Sequence, residues 1–161
     1  MYSWIDNILI GIKDIYGNNI YEILDYLNIT VIKLDSKNIL LRGNESLYYR
    51  DYYNHELIFI RNDLGYNYEK FILCHELGHA ILHTNVLEAA FNKNLINKDK
   101  FEKQANYFAF KLLNFDLDPI AFEGFTLEQI ASSLYLKSNC IFNIADKLKE
   151  GVCIEQYSYL L

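Results

Sequence analysis

The stretch from Cys74 to His83 limits what this chain can fold into more than any other part of the sequence. It carries the pattern His-Glu-x-x-His, formed by His75, Glu76 and His79. In a helix, side chains four residues apart lie one turn apart on the same face, so the two imidazoles can point at one place. The flanking residues are apolar on almost every side, which predicts a buried helix whose polar groups need partners. A metal ion would be such a partner; a surface helix with two histidines is the alternative.

The chemistry of these three side chains favours zinc. Neutral imidazole nitrogen binds Zn2+ at about 2.0–2.1 Å, and two imidazoles on one helix supply half of a tetrahedral site. Glu76, next to the first ligand, can accept a proton from a water and pass it to a leaving amine. The pattern therefore predicts zinc-dependent peptide hydrolysis, with His75 and His79 as metal ligands and Glu76 as the general base.

A third ligand is expected from a second helix, predicted over residues 100–113. Its apolar face also carries Glu102 and Asn106. Burying a carboxylate without a partner is costly, so Glu102 fits the place of the third zinc ligand. Asn106, one turn later, can accept a hydrogen bond from a ligating imidazole and fix its tautomer. The alternative for Glu102 is an exposed carboxylate favoured by the positive end of the helix dipole.

His83 is a poorer candidate for the third ligand. It follows His75 by about two helical turns, so it lies about 12 Å along the axis and is rotated by about 80°. The extended motif with a third histidine also needs Gly three residues after His79, where this chain has Leu82. We expect His83 to cap the end of the helix or to support a ligand from behind.

Composition excludes several classes of protein. A length of 161 residues predicts one domain, over 1–161, with a sizeable core. The net charge of −6 argues against general binding to nucleic acid or anionic membranes. No apolar run is long enough to span a bilayer, and the N-terminus lacks the basic segment of a signal peptide. Cys74, Cys140 and Cys153 lie in apolar settings and are expected to be reduced, which predicts a cytoplasmic protein.

The order of hydrophobic patterns predicts an α+β fold that resembles the plan of the zincin peptidases. In this plan a small antiparallel sheet packs against a central His-Glu-x-x-His helix, with additional helices at both ends. We expect N-terminal helices over 1–28, the sheet over 30–61, with three or four strands including 39–41, and zinc-binding helices over 67–113. Residues 84–99 between those helices are expected to form a solvated loop, or a lid over the site.

The strand nearest the metal helix in sequence is the candidate for substrate binding. In zincin peptidases an edge strand beside the helix binds the substrate backbone. The candidate strand comprises Leu57, Ile58, Phe59 and Ile60. A central strand without a substrate role is an equally good interpretation of the same residues.

A helical pair is expected over 126–149, with some of the spacing of a helix-turn-helix. Its second helix carries no Arg or Lys over 138–143, and Tyr135 stands where the turn usually has Gly. We therefore expect no direct binding of nucleic acid, and a structural pair packed on the zinc helix.

Two blocks of the sequence together resemble the ImmA/IrrE metallopeptidases. The first is His-Glu-Leu-Gly-His from residue 75, followed by His83, and the second is Glu-x-x-Ala-Asn-x-Phe-Ala-x-x-Leu-Leu from residue 102. The resemblance spans residues 62–148. It implies a zinc protease with His75, His79 and Glu102 as ligands and Glu76 as base. It also implies a regulatory substrate, because family members in phages and integrative elements cleave a helix-turn-helix repressor.

The chain departs from the family pattern at two places. Asn114-Phe115 follows the paired leucines where Met-Pro is common, and Gln104 replaces a frequent second acidic residue. Neither position is a predicted ligand, so the departures bear on the choice of substrate. Two other functions stay open: a zinc-stabilised regulator that inactivates a repressor by binding alone, and a component of a toxin–antitoxin pair.

Overall fold

The structure is a computed structural model, and it describes residues 2–84, 98–115 and 121–142. Most of the predicted loop or lid over 84–99 lies outside the described residues. The end of the predicted helical pair, after residue 142, and Cys153 also lie outside them. The described elements, in chain order, are α1 (Ser3–Tyr16), α2 (Ile20–Tyr26), β1 (Ile29–Leu34), a 3-10 helix (Ile39–Leu41), β2 (Ser46–Tyr52), β3 (His55–Arg61), α3 (Tyr66–Leu82), α4 (Lys98–Leu112), α5 (Leu127–Ser133) and α6 (Ser138–Phe142).

The sheet has three strands in the order β1-β3-β2, and it is mixed. β2 and β3 form an antiparallel hairpin, whose turn residues Tyr53 and Asn54 both have positive φ, as a two-residue primed turn requires. β1 runs parallel to β3. The prediction of a wholly antiparallel sheet is therefore wrong for β1, because the chain crosses from β1 through the 3-10 helix and β2 before it returns beside β1.

Residues 39–41, predicted as a possible strand, form the 3-10 helix instead. The Asn38 side chain accepts a hydrogen bond from the backbone N–H of Leu40, and this caps the first turn. Arg42 then takes a left-handed conformation that ends the turn. Local capping of this kind competes with strand formation, and the three apolar residues alone do not reveal it.

β3 lies in the centre of the sheet, so the prediction that Leu57–Ile60 forms an edge strand is wrong. Its backbone groups pair with β1 on one side and β2 on the other. Its side chains alternate between the two faces: Ile58 and Ile60 enter the main core, whereas Leu57 and Phe59 form a small second core. Among the described strands, the edges are β1 and β2.

α3 is the helix around which the main core forms. Residues on nearly every side of it are buried, which agrees with its apolar sequence. It packs most closely on α4 at Gly78, where a Cβ atom would lie 3.2 Å from Cα of Ala105 and 3.3 Å from Cδ1 of Phe108. The absence of a side chain at Gly78 thus lets the backbones of α3 and α4 approach, which brings α4 within reach of the polar face of α3.

The two short helices α5 and α6 belong to the same core. Ile130, Leu136 and Ile141 are buried in it, and the Thr126–Gln129 capping box starts α5. Lys137, between the two helices, contacts α3, since its Nζ lies 5.4 Å from the ring centroid of Tyr68. Within the described ranges, no helix is long and apolar enough to cross a membrane.

Candidate metal centre

Three side chains from α3 and α4 converge on one point. Nε2 of His75 lies 3.0 Å from Nε2 of His79, and the Glu102 carboxylate lies 3.4 Å from the first and 3.7 Å from the second. His75 and His79 share a face because they are one turn apart on α3, and Glu102 reaches them from the first turns of α4. Their ligand atoms all lie within 4.8 Å of one another, which is close enough to hold one metal ion.

The donor set and its dimensions fit zinc. Ligand atoms about 2.0–2.1 Å from a tetrahedral zinc lie about 3.3–3.4 Å from one another. The observed separations of 3.0, 3.4 and 3.7 Å bracket that value. Two imidazole nitrogens with one carboxylate oxygen suit zinc better than calcium or magnesium, which prefer oxygen ligands throughout. Three protein ligands also leave a fourth position for water or substrate.

The far sides of both imidazoles are hydrogen-bonded. Nδ1 of His75 lies 2.8 Å from Oδ1 of Asn106, the contact expected from the sequence. Nδ1 of His79 lies 2.9 Å from Nδ1 of His83, whose Nε2 lies 3.1 Å from Oε1 of Gln104. His83 also ends α3, where its backbone N–H donates to the carbonyl of His79. It therefore caps the helix and supports a candidate ligand, the two roles expected from the sequence.

Glu76 lies beside the cluster and is buried. The hydroxyl of Ser46, at the start of β2, donates a hydrogen bond to its carboxylate, and the backbone N–H of Tyr48 contributes another. One turn along α3, Arg50 of β2 donates to the carbonyl of Ala80 at 2.5 Å. β2, and not β3, is therefore the strand that lies along α3 at the site.

Burial dominates the protonation of these groups. It raises the pKa of Glu76, against the lowering effects of His75 and the Ser46 hydrogen bond. Burial and the neighbouring His75 lower the pKa of His79 to about 3, so this imidazole is neutral, the form that binds a metal. Burial also acts to lower the pKa of His75, but the Glu102 hydrogen bond and the charges of Glu76 and Glu102 outweigh it and raise that pKa.

The structure brings most of the predicted site residues together: His75, Glu76, His79, Glu102 and Asn106. It does not bring the predicted substrate strand to the site, because the side chains of Leu57–Ile60 are buried in the two cores. Sequence reasoning missed Ser46 and Gln104 as partners of site residues. The sequence does contain a signal for Gln104, because it is a polar side chain beside a run of apolar positions on the second helix. We find no such signal for Ser46 in the sequence.

Comparison with known proteins points to one peptidase family. The sequence model of the Peptidase_M78 family, described as the IrrE N-terminal-like domain, matches residues 24–134. Metallopeptidase ImmA of Bacillus subtilis (strain 168) is 36% identical over 122 residues, which cover 71% of this chain and 68% of that protein. An uncharacterized immunity region protein 2 of Bacillus phage phi105 is 33% identical over 124 residues, covering 74% of this chain and 75% of the phage protein.

No solved structure gave a significant match. The family match spans more than half of the chain and includes α3, α4 and the whole sheet. It confirms the resemblance inferred from the two sequence blocks. On these grounds the chain belongs to the ImmA/IrrE peptidase family, Peptidase_M78.

Proposed function

We propose that this protein is a zinc-dependent endopeptidase with a zincin-like site. The observation that carries the proposal is the convergence of His75, His79 and Glu102, with the buried carboxylate of Glu76 next to the first of them. The family and the name of the relative Metallopeptidase ImmA support a peptidase that uses a metal. In this proposal the three converging side chains hold Zn2+, and Glu76 is the general base.

When bound, zinc would supply Lewis acidity, which lowers the pKa of a water and polarises the scissile carbonyl. Glu76 accepts the proton of the attacking water and returns it to the leaving amine. A carboxylate whose pKa is raised by burial is a better proton acceptor than an exposed one, and a nearby positive charge favours its ionised form. The hydrogen bond from Ser46 holds this carboxylate in one orientation.

The geometry favours β2 as the strand that receives the substrate. Among the described strands β2 pairs only with β3, so none of them occupies its other edge, where a further strand could add. The contacts of Ser46 with Glu76 and of Arg50 with Ala80 place this strand alongside the metal helix. A peptide that adds to β2 as an extended strand would hydrogen-bond to its backbone and pass next to the base.

We further propose that the substrate is a helix-turn-helix transcriptional repressor and that the protein acts as an anti-repressor in the cytoplasm. The phage relative is named an immunity region protein, and the family resemblance implies a helix-turn-helix repressor as the substrate. The net charge of −6 does not favour contact with DNA itself, so the repressor protein is the better target than its operator.

Incubation of the zinc-loaded protein with the helix-turn-helix repressor encoded next to it tests this function. Mass spectrometry should find two fragments from one fixed cut, and a chelator or the Glu76→Gln variant should prevent the cut. A repressor that leaves its operator while its chain stays intact would instead indicate inactivation by binding alone. A repressor that is neither cut nor released would overturn the proposed substrate.

A further inference from the structure

The two imidazoles of the metal site are held from behind in different ways. His75 contacts an amide oxygen directly, at Asn106. His79 instead contacts another imidazole, that of His83, and only His83 contacts an amide oxygen, at Gln104. This second arrangement is a relay of three side chains, Gln104, His83 and His79, which we call the His83 relay.

The order of donors and acceptors in the His83 relay follows from its amide end. An amide oxygen carries no hydrogen and can only accept, so Nε2 of His83 must donate to Gln104. A neutral imidazole has one N–H, so Nδ1 of His83 is then an acceptor. The contact of 2.9 Å therefore requires Nδ1 of His79 to donate. Nε2 of His79 is left with a bare lone pair, and that atom faces the metal site.

The same rule fixes His75, whose Nδ1 donates to Asn106. In the form that binds a metal, with both imidazoles neutral, the two Nε2 atoms face each other at 3.0 Å without a hydrogen between them. Two lone pairs at that distance repel unless a cation lies beside them. The outer contacts at Nδ1 thus turn the Nε2 lone pair of each neutral imidazole toward the metal site.

The two outer side chains of the His83 relay, His83 and Gln104, are shielded from water. His83 and Gln104 are both buried, with 9% and 6% of their surfaces exposed, and the His83 ring packs against Phe101 at a centroid distance of 4.6 Å. Exchange of hydrogen bonds with solvent is therefore restricted. Gln104 follows Glu102 closely on α4, so one helix supplies both the third candidate ligand and the group that orders the relay.

We propose that Gln104 and His83 are positioning residues that hold His79 in the Nδ1–H tautomer and thereby set the affinity of the site for metal. The proposal rests on the proposed metal site. Loss of an outer hydrogen-bond partner of a ligating histidine typically weakens metal affinity by about 10–100-fold. Neither residue touches the metal or the substrate in this account, and both act through His79.

Zinc affinity measured by competition with a chromophoric chelator tests the role of Gln104. Gln104→Leu removes the acceptor at similar size and should weaken zinc binding by about 10-fold or more. Gln104→Glu keeps an acceptor oxygen and should restore wild-type affinity or exceed it. Lys103→Leu, at an exposed position on the same helix, is the matched control and should leave affinity unchanged. Equal affinity in Gln104→Leu and wild type would overturn the proposal.

The tautomers can be read directly in the wild-type protein, which avoids any question of whether a variant folds. Long-range 1H–15N correlation spectra of the zinc-loaded protein should show His83 with its hydrogen on Nε2. A hydrogen on Nδ1 of His83 would overturn the His83 relay while leaving the metal site intact. A wild-type chain that binds no zinc would overturn the relay and the proposed function together.

Discussion

The helix α3 carries two buried carboxylates, Glu69 and Glu76, and their surroundings differ sharply. Their exposed fractions are nearly equal, 5% and 6%. Glu69 accepts a hydrogen bond from Nζ of Lys33 at 2.7 Å and another from the hydroxyl of Tyr21 at 2.9 Å. Glu76 accepts from Ser46 and from a backbone N–H, and among the described residues no lysine or arginine is paired with it.

The difference separates a structural carboxylate from one suited to proton transfer. The charge of Glu69 is neutralised by Lys33, and the pair ties α3 to β1 while Tyr21 ties it to α2. Glu76 has hydrogen bonds but no permanent counter-ion, and burial raises its pKa. Glu69 and Glu76 are thus equally buried on one helix but differ in role. The difference follows from the cation, which is paired with Glu69 and not with Glu76.

The largest effect should come from Glu76→Gln. Without the general base, cleavage of the proposed repressor should fall by about 10³-fold, because a positioned base contributes about 10²–10⁴-fold. Zinc content, measured by atomic emission, should not change. The matched control is Glu69→Gln, on the same helix and equally buried, which should retain cleavage per folded molecule. Equal losses of activity in both variants would show that the two carboxylates do not differ in role.

Removal of the metal should have the next largest effect, since a metal would supply the positive charge that Glu76 lacks. Zinc at about 100 times its dissociation constant should stabilise the fold by about 2.7 kcal/mol, and a chelator should remove that gain. Calorimetry of the chelated and zinc-loaded protein measures the change in Tm. His79→Ala should show no such change in Tm, and a full response in that variant would contradict the ligand assignment.

A smaller effect is expected when Glu69 loses its cation. Lys33→Met should destabilise the fold by about 1–2 kcal/mol, less than a fully buried pair would, because the lysine side chain is half exposed. Cleavage by the folded fraction should stay as in wild type. Urea unfolding gives the free energy, and Lys37→Met, at an exposed turn position, serves as the control. No loss of stability relative to Lys37→Met would mean that Glu69 does not need its partner.

The smallest effect is a pH dependence in the metal-free protein. The folded pKa of Glu76 is raised, so the folded state binds the proton more tightly than the unfolded state. The stabilisation from this tighter proton binding is fully present at pH values below the unfolded pKa of Glu, about 4.3. It is lost as the pH rises through the raised pKa of Glu76 in the folded state. The Tm of wild type should therefore fall relative to that of Glu76→Gln over this range. A difference in Tm between wild type and Glu76→Gln that stays constant with pH would contradict the raised pKa of Glu76.

The parts of the site that depend on short-range spacing could be predicted from the sequence. The helical period places His75 and His79 on one face, and a carboxylate on an apolar helix identifies Glu102. The Ser46 contact could not be predicted, because it depends on how β2 lies along α3. From the sequence, Gln104 stands out only as a departure from the family pattern, because its partner His83 lies at the end of a different helix.

The fold shows the same division between local and distant interactions. The elements follow from their patterns, whereas the parallel pairing of β1 with β3 depends on residues distant in sequence. The central position of β3 did have a signal. Four consecutive apolar residues, Leu57–Ile60, are typical of a strand buried on both faces, whereas a strand with one face in water alternates with polar residues.

The position of Glu102 has a consequence for the connectivity of the chain. A metal bound by His79 near the end of α3 and by Glu102 near the start of α4 closes a loop of roughly 20 residues, as a disulfide would. An ion that also held both ends together in the unfolded chain would remove about 3 kcal/mol of chain entropy from the unfolded state. The ion would then act as a reversible cross-link between the two helices. The supply of zinc in the cell would then change the stability of the fold as well as the activity.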